Sequence, residues 1–336
     1  MSDWGKGVNN NIGWGQGANN DIGWGSIYDK SNAGQTLLSS SEGILNQFPG
    51  ASLGLSLELL DKEYTGFCIK VRRSSDNNEL DIGFVNNELD TASLLDFVGS
   101  GDGFVSIWYD QSGEGNNATQ TSAISQPKII NNGTLILENG KPAINFDGVN
   151  HHFIVWNNTT APTIFQDMSD AITMLIIERA SVISGTETLW HNSNTIVEIR
   201  QNSDSEGTSV TFNIGYAQNK FGFGVTDNYI TGADLKFSTE LSIAQRISMS
   251  IFNGNNLNVN LNSESKINST FTVATGDRSI GSGNSSMTIG VRSRDGGQSD
   301  DEFYTGNIQE IILYKEIKTS DRSAMENNRN AIYNIY

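Results

Sequence analysis

Ile308-Gln309-Glu310-Ile311-Ile312-Leu313-Tyr314 is a largely apolar run, and Ile172-Thr173-Met174-Leu175-Ile176-Ile177 is its counterpart earlier in the chain. Neither alternates strictly, so both read as strands covered on both faces. Other runs do alternate: Val210-Thr211-Phe212-Asn213-Ile214, Ile247-Ser248-Met249-Ser250-Ile251 and Leu257-Asn258-Val259-Asn260-Leu261. Period two sends successive side chains to opposite faces, the pattern of half-buried antiparallel strands. The chain has 35 glycines against 4 prolines, and Asn and Ser occur throughout. Asn-Gly pairs at 132–133, 139–140 and 253–254 mark tight turns between strand-like runs. The last is the cleanest hairpin signal, because an alternating run lies close on either side.

Helical signals are few. Residues 91–98 can form a short helix, and a longer one closes the chain. Ser320 or Thr319 can cap that helix, Asp321 suits its N-terminus, and Ala324, Met325, Ile332 and Tyr336 can share much of one face. The expected fold is therefore all-β, two packed antiparallel sheets in a β-sandwich closed by a C-terminal helix.

Composition narrows the partners. The chain has 336 residues, with 38 acidic against 21 basic side chains and a net charge of −17. Phosphate contacts need a Lys/Arg surface, so nucleic acid is not an expected partner. No apolar run approaches the ~20 residues of a membrane helix, and no membrane role is expected. No charged segment followed by an apolar stretch marks a secretory signal at the N-terminus. The single cysteine, Cys68, excludes an internal disulfide; between Phe67 and Ile69 it reads as a small buried hydrophobe. His151, His152 and His191 lack the spacing of a zinc site.

The first 28 residues repeat a decapeptide. Trp4-Gly5, Trp14-Gly15 and Trp24-Gly25 stand ten residues apart, with Ile12-Gly13 and Ile22-Gly23 between them. One ring and one Ile per repeat cannot offset the entropy of ordering such a Gly/Asn-rich backbone. Aromatic anchors seated in pockets carry much of the energy of interfaces. Residues 1–28 therefore read as a docking arm, with Trp4, Trp14, Trp24, Ile12 and Ile22 as its contacts. A flexible low-complexity tail is the alternative. Residues 29–43 form a linker, and residues 44–336 form the sandwich.

Within the sandwich, three blocks stand out: Val71-Arg72-Arg73-Ser74-Ser75-Asp76, Asp81-Ile82-Gly83, and Trp108-Tyr109-Asp110-Gln111-Ser112-Gly113. They continue into Gln126-Pro127-Lys128-Ile129 and Gly140-Lys141-Pro142-Ala143-Ile144-Asn145-Phe146-Asp147-Gly148. Residues 66–148 thus resemble the catalytic domain of the arabinofuranosidase B family. The segment from Phe303 to Tyr314, followed by a helix, is similar to the close of a concanavalin A-like or laminin G-like sandwich. The resemblance implies a glycosidase fold and, for an active member, two carboxyl groups ~5–5.5 Å apart. The family's acidic nucleophile segment has no counterpart between residues 172 and 229. Near its acid/base position the chain reads Arg292-Ser293-Arg294-Asp295-Gly296, which places Arg294 at the site and Asp295 one step away. Arg294 would hold a fixed positive charge where a titrating acid is needed. The family's vicinal cysteine pair is also absent. The expectation is a non-enzyme, with Asp295 the residue on which catalysis would be tested and an arabinofuranosidase-type glycoside hydrolase the alternative function.

Other residues carry two readings each. Trp108, Trp156 and Trp190 can stack on sugar rings or fill the core. Asp110-Gln111-Ser112-Gly113 can close a turn through side-chain bonds to backbone amides. Asp110, Asp147, Asp300 and Asp301 can instead supply oxygen ligands to calcium; no other cofactor is expected. On a strand, Arg72 and Arg73 point to opposite faces, so at most one meets a ligand.

The repeat style and domain order look like those of virion proteins from tailed phages, in particular the crAss-like group and related phages infecting Bacteroidetes. That resemblance implies a head-fibre, tail or decoration module made in the host cytoplasm and located in the virion. The arm would bind capsid, portal or tail proteins, the sandwich would meet a host glycan, and the assembly would be a homo-oligomer, with a trimer the first guess.

Overall fold

The computed structural model describes residues 42–159, 161–162, 171–182, 194–201, 211–217, 220–226, 233–240, 243–254, 256–270, 285–294 and 299–336. Trp4, Ile12, Trp14, Ile22, Trp24, Trp190 and Asp295 lie outside the described residues. Asp300 and Asp301 belong to the strand Ser299–Asp301, of which only the backbone is described.

The run at 308–314 lies inside the first sheet, paired along both edges. It belongs to the strand Thr305–Tyr314, which pairs along one edge with both Ala51–Ser56 and Ile144–Asp147, and along the other with Ile172–Ala180. That sheet continues through Arg246–Asn253, Asn256–Leu261 and Glu264–Thr270. The second sheet begins with Glu79–Ile82, Ile69–Arg73 and Gly103–Trp108. It runs on through Ala118–Thr119, Phe153–Thr159, Ser285–Ile289, Asn194–Gln201, Thr211–Ala217, Lys220–Thr226 and Ala233–Glu240. All of these pairings are antiparallel. Strand Lys128–Asn131 pairs with Gly103–Trp108 on one side and touches Ile144–Asp147 at Lys128–Asn145 on the other, which joins the two sheets.

Each covered strand faces two separate apolar clusters. Ile172, Met174, Ile176, Ile311 and Leu313 pack with Leu53, Trp108, Phe146 and Phe153 in the main core. Leu175, Ile177, Ile312 and Tyr314 face the other way, against Ile44 and Leu45 of helix α1 (Ile44–Gln47) and Met325 and Tyr333 of a C-terminal helix. This double cover also corrects one expectation. Ser248 and Ser250 were expected on a solvated face, yet both are buried, because strand Arg246–Asn253 lies under the same helices and over the same core.

The turn chemistry follows the Asn-Gly reading. Asn132 and Gly133, like Asn139 and Gly140, both have positive φ in two-residue hairpin loops. The pair at 253–254 connects strands Arg246–Asn253 and Asn256–Leu261 as a hairpin. Asn86-Asn87 and Asn262-Ser263 make equivalent turns without the Gly signal. Helix α2 forms at Thr91–Val98, where Asp90 Oδ1 accepts the Ser93 amide at 3.0 Å.

Helix α3 (Arg322–Tyr333) departs from its expected details. Its N-cap is Asp321, which makes no side-chain capping bond, and neither Ser320 nor Thr319 serves. Its buried face is Met325, Glu326, Arg329 and Tyr333, whereas Ala324 is exposed and Tyr336 lies past the helix end. Two charged residues on that face hid it from an apolar count. Arg329 Nη1 donates to Glu310 Oε2 at 3.0 Å, and the hydroxyls of Ser56 and Tyr333 donate to the same oxygen at 2.9 and 3.2 Å. Glu310 interrupts the apolar run because it anchors the helix.

Removing Arg329 would leave the Glu310 carboxylate buried and uncompensated. Arg329→Ala is expected to lower unfolding free energy by about 3–5 kcal/mol in urea titrations. Arg329→Met combined with Glu310→Gln should recover much of that loss.

Candidate functional site

The Asp110-Gln111-Ser112-Gly113 block is a buried latch between the sheets. Asp110 Oδ1 accepts the amides of Gly54 (2.8 Å) and Ser112 (2.9 Å), and Oδ2 accepts the Ser112 hydroxyl (2.7 Å) and the Asn116 amide (2.9 Å). Gln111 accepts the Leu60 amide at 2.8 Å and donates to the carbonyls of Ser56 and Glu58, each at 3.1 Å. Both oxygens of Asp110 face N–H and O–H donors, so the calcium reading fails there and the turn-closing reading holds. Asp147 Oδ1 is likewise occupied, by the amides of Val149 (2.9 Å), Asn150 (3.0 Å) and His151 (3.0 Å). Among the described residues no cluster of three or more His, Cys, Asp or Glu side chains could hold a metal ion.

Two of the sugar-stacking candidates are core residues. Trp108 is fully buried against Phe153, and Trp156 is 6% exposed with Nε1 donating to Ser285 Oγ at 2.9 Å. Neither offers a ring face to a ligand. Cys68 is buried as expected, and its thiol donates to the Ser56 carbonyl at 3.4 Å.

A groove opens instead where the sheets join. Arg72 pairs with Phe104, Phe104 with Lys128, Lys128 with Asn145, Asn145 with Asn307, and Asn307 with Arg179. Directly opposed residues share one face of a sheet. Their chain neighbours Val71, Val105, Ile129, Ile144 and Ile308 are buried, so this row lines the outer face. The cavity above it measures about 550 Å³ and is lined by Phe104, Lys128, Asn131, Asn145, Asp147, His151 and Asn307, with Ile136 beside them. Asn145 Nδ2 donates to Asn307 Oδ1 at 2.9 Å, and Asn307 Nδ2 to Glu138 Oε2 at 3.1 Å. Each side-chain amide has four hydrogen-bonding positions, so both keep capacity for a ligand.

The charges around this groove are paired within the protein. Lys128 Nζ donates to Asp102 Oδ2 (3.0 Å) and Asn131 Oδ1 (3.2 Å), and lies 5.4 Å from the Phe104 ring centre. Arg72 donates to Gln126 Oε1 (2.6 Å) and Asn77 Oδ1 (2.8 Å), and Arg179 to both oxygens of Glu138 (3.2 and 3.3 Å). Burial alone would raise the Asp147 carboxyl, but its three backbone donors, aided by His151, hold it below the usual carboxylate range. Burial lowers His151 despite the pull of Asp147, which favours a neutral imidazole at pH 7. The Asn145 backbone, with Asp147, favours its protonated form. Asn150 Oδ1, beside His151 in the chain, is buried without a hydrogen-bond partner. Such a groove can offer and accept hydrogen bonds, but its carboxylate is ionised and unsuited to donating a proton.

A second cavity, about 250 Å³, is lined by Glu58, whose carboxyl group titrates near neutrality. Lys141 Nζ donates to Glu58 Oε1 at 3.1 Å and to Glu88 Oε1 at 2.6 Å. Burial pushes Glu58 up to about 7, against the opposing pull of Lys141. The ammonium lies between the two carboxylates, where the reacting carbon of a sugar would have to sit. Elsewhere, between residues 172 and 229, Glu178 and Glu198 are buried in strands, and neither lines the groove. Glu178 accepts hydrogen bonds from the hydroxyls of Tyr304 (2.6 Å) and Tyr216 and from Arg246 in the core.

No protein-family model and no curated protein sequence matches the chain. Among solved structures it is similar to a Glu-to-Gln mutant of a GH54 α-L-arabinofuranosidase soaked with 4-nitrophenyl α-L-arabinofuranoside. That match has a TM-score of 0.61 at 14% identity, covering 85% of this chain and 63% of the other. An arabinofuranosidase complexed with arabinofuranosyl-α-1,2-xylobiose matches with a TM-score of 0.58 at 15% identity and the same coverage. The chain has the arabinofuranosidase-type sandwich fold. It spans less than two thirds of those enzymes, 63% of each. Nothing in these similarities points to a phage virion.

Glu58 gives the fold a measurable pH signature. In the unfolded chain it titrates at its ordinary value of 4.5, whereas the folded chain holds its proton to about 7. The folded state therefore binds more protons in that window, and this contribution to stability falls as pH rises through it. Glu58→Gln should remove the decline, flattening the stability difference between pH 4.5 and 7 by roughly 2–3 kcal/mol in denaturant titrations.

Proposed function

We propose that the sandwich binds a neutral glycan in the outer groove where its sheets join, without hydrolysing it, and that residues 1–28 anchor it in a larger assembly. The observation that carries this reading is the cross-strand row Phe104, Lys128, Asn145 and Asn307 on the outer face. The planar amides suit the hydroxyls of a sugar, and Phe104, flanked by Arg72 and Lys128, walls one side of the groove. Neutrality follows from the charges: each groove cation already has an anionic or amide partner, and a net charge of −17 disfavours polyanions.

The assembly part rests on the Trp repeat. Trp4, Trp14 and Trp24 would seat in pockets of capsid, portal or tail proteins of a tailed phage, assembled in the host cytoplasm, with the sandwich displayed as a homo-oligomer, a trimer being the first state to test. The fold favours one second reading, an arabinofuranosidase that uses Asp295.

Calorimetry against neutral and acidic glycans, beside turnover of an aryl arabinofuranoside, separates these readings. Saturable binding of a neutral glycan without turnover is expected. Asn307→Ala and Asn145→Ala should each weaken that binding by about 2- to 10-fold, the usual worth of a neutral hydrogen bond. Turnover that Asp295→Asn abolishes would replace this reading with the enzymatic one.

A further inference from the structure

The groove does not end at Phe104. Strand alternation turns Trp108 into the core and Tyr109 to the opposite side, where its half-buried ring lies 6.2 Å from that of Phe67, tilted by 47°. Phe67 is 49% exposed, so its ring presents an open aromatic face beside the half-buried Tyr109. It is held in place from below: Tyr64 donates its hydroxyl to the Phe67 carbonyl at 2.9 Å and meets the Phe84 ring edge-on at 6.3 Å. The Tyr109 hydroxyl donates to Asp81 Oδ1 at 2.6 Å, and Lys70 Nζ lies 3.6 Å from the same oxygen.

Lys70 connects the two places. It pairs with Ile107, and two residues further along the strand Arg72 pairs with Phe104, with its guanidinium 4.7 Å above that ring. Positions two apart on a strand share a face. One strip therefore runs from Phe67 and Tyr109, past Lys70, to Arg72 and Phe104 and into the groove. At about 3.3 Å per residue, the step from Tyr109 to Phe104 spans roughly 15 Å. A single sugar ring cannot occupy both ends.

We infer that Phe67 and Tyr109 form a second, stacking subsite of the groove, so that the ligand is a neutral oligosaccharide chain rather than a single sugar. This rests on the glycan-binding reading of the groove. The ring pair supplies an apolar face for the C–H side of one unit, and Asp81 and Lys70 supply polar groups at its edge. The amides of Asn145 and Asn307 hold another unit at the far end.

The test is calorimetry on the full chain with neutral gluco-, galacto-, manno-, xylo- and arabino-oligosaccharides of one to six units. Affinity is expected to rise with length and then level off. Phe67→Ala should lower oligosaccharide affinity by about 3- to 10-fold, the range of an aromatic contact, and leave monosaccharide affinity unchanged. Tyr109→Phe, which keeps the ring, should retain most of the affinity, and Asn307→Ala should weaken short and long ligands alike. Phe67 is half exposed, so unchanged thermal unfolding will separate its effect from misfolding. Length-independent affinity, or equal losses for short and long ligands in Phe67→Ala, overturns the second subsite and leaves the groove standing. No binding at any length overturns both.

Discussion

The two sheets keep their relation through the buried side chains of Asp110 and Gln111. Both lie just past the strand Gly103–Trp108 of the second sheet, yet their partners Gly54, Ser56, Glu58 and Leu60 lie in or just after the first-sheet strand Ala51–Ser56. Asn116 adds a bond to the Ser52 carbonyl at 3.1 Å. A buried carboxylate accepting several N–H donors is a strong, directional tie, and each donor would be costly to leave unmet. With the sheets so fixed, Lys128 meets Asn145, and the outer row crosses from one sheet to the other.

The same economy recurs elsewhere in the core. Glu310 is neutralised by Arg329 and fixes the C-terminal helix, while Glu178 ties Tyr216, Tyr304 and Arg246 inside the sandwich. Such buried charges contribute little net stability, but they are costly to unpair, which favours one packing over its alternatives. Such a frame would hold the amides of the proposed groove in place.

Much of the fold was legible in the chain. Apolar runs at 172–177 and 308–314, the alternation at 257–261 and the Asn-Gly turns all report local backbone preference and burial, which one sequence displays. The site was not legible in the same way. Phe104, Lys128, Asn145 and Asn307 come from separate segments and meet only through strand register, which no spacing rule reveals. Trp108 is the larger ring, but alternation buries it and leaves the half-exposed Tyr109 facing outward. Glu326 and Arg329 were overlooked on the last helix because charged residues are ordinarily exposed, and only the buried pair with Glu310 shows why Arg329 is not.

The most direct test is an NMR titration of the side-chain amides of Asn145 and Asn307 with a neutral oligosaccharide that binds. The account predicts saturable shifts of both amides, together with the Lys128 backbone amide. Binding that leaves all three unmoved would show that the outer groove is not the site.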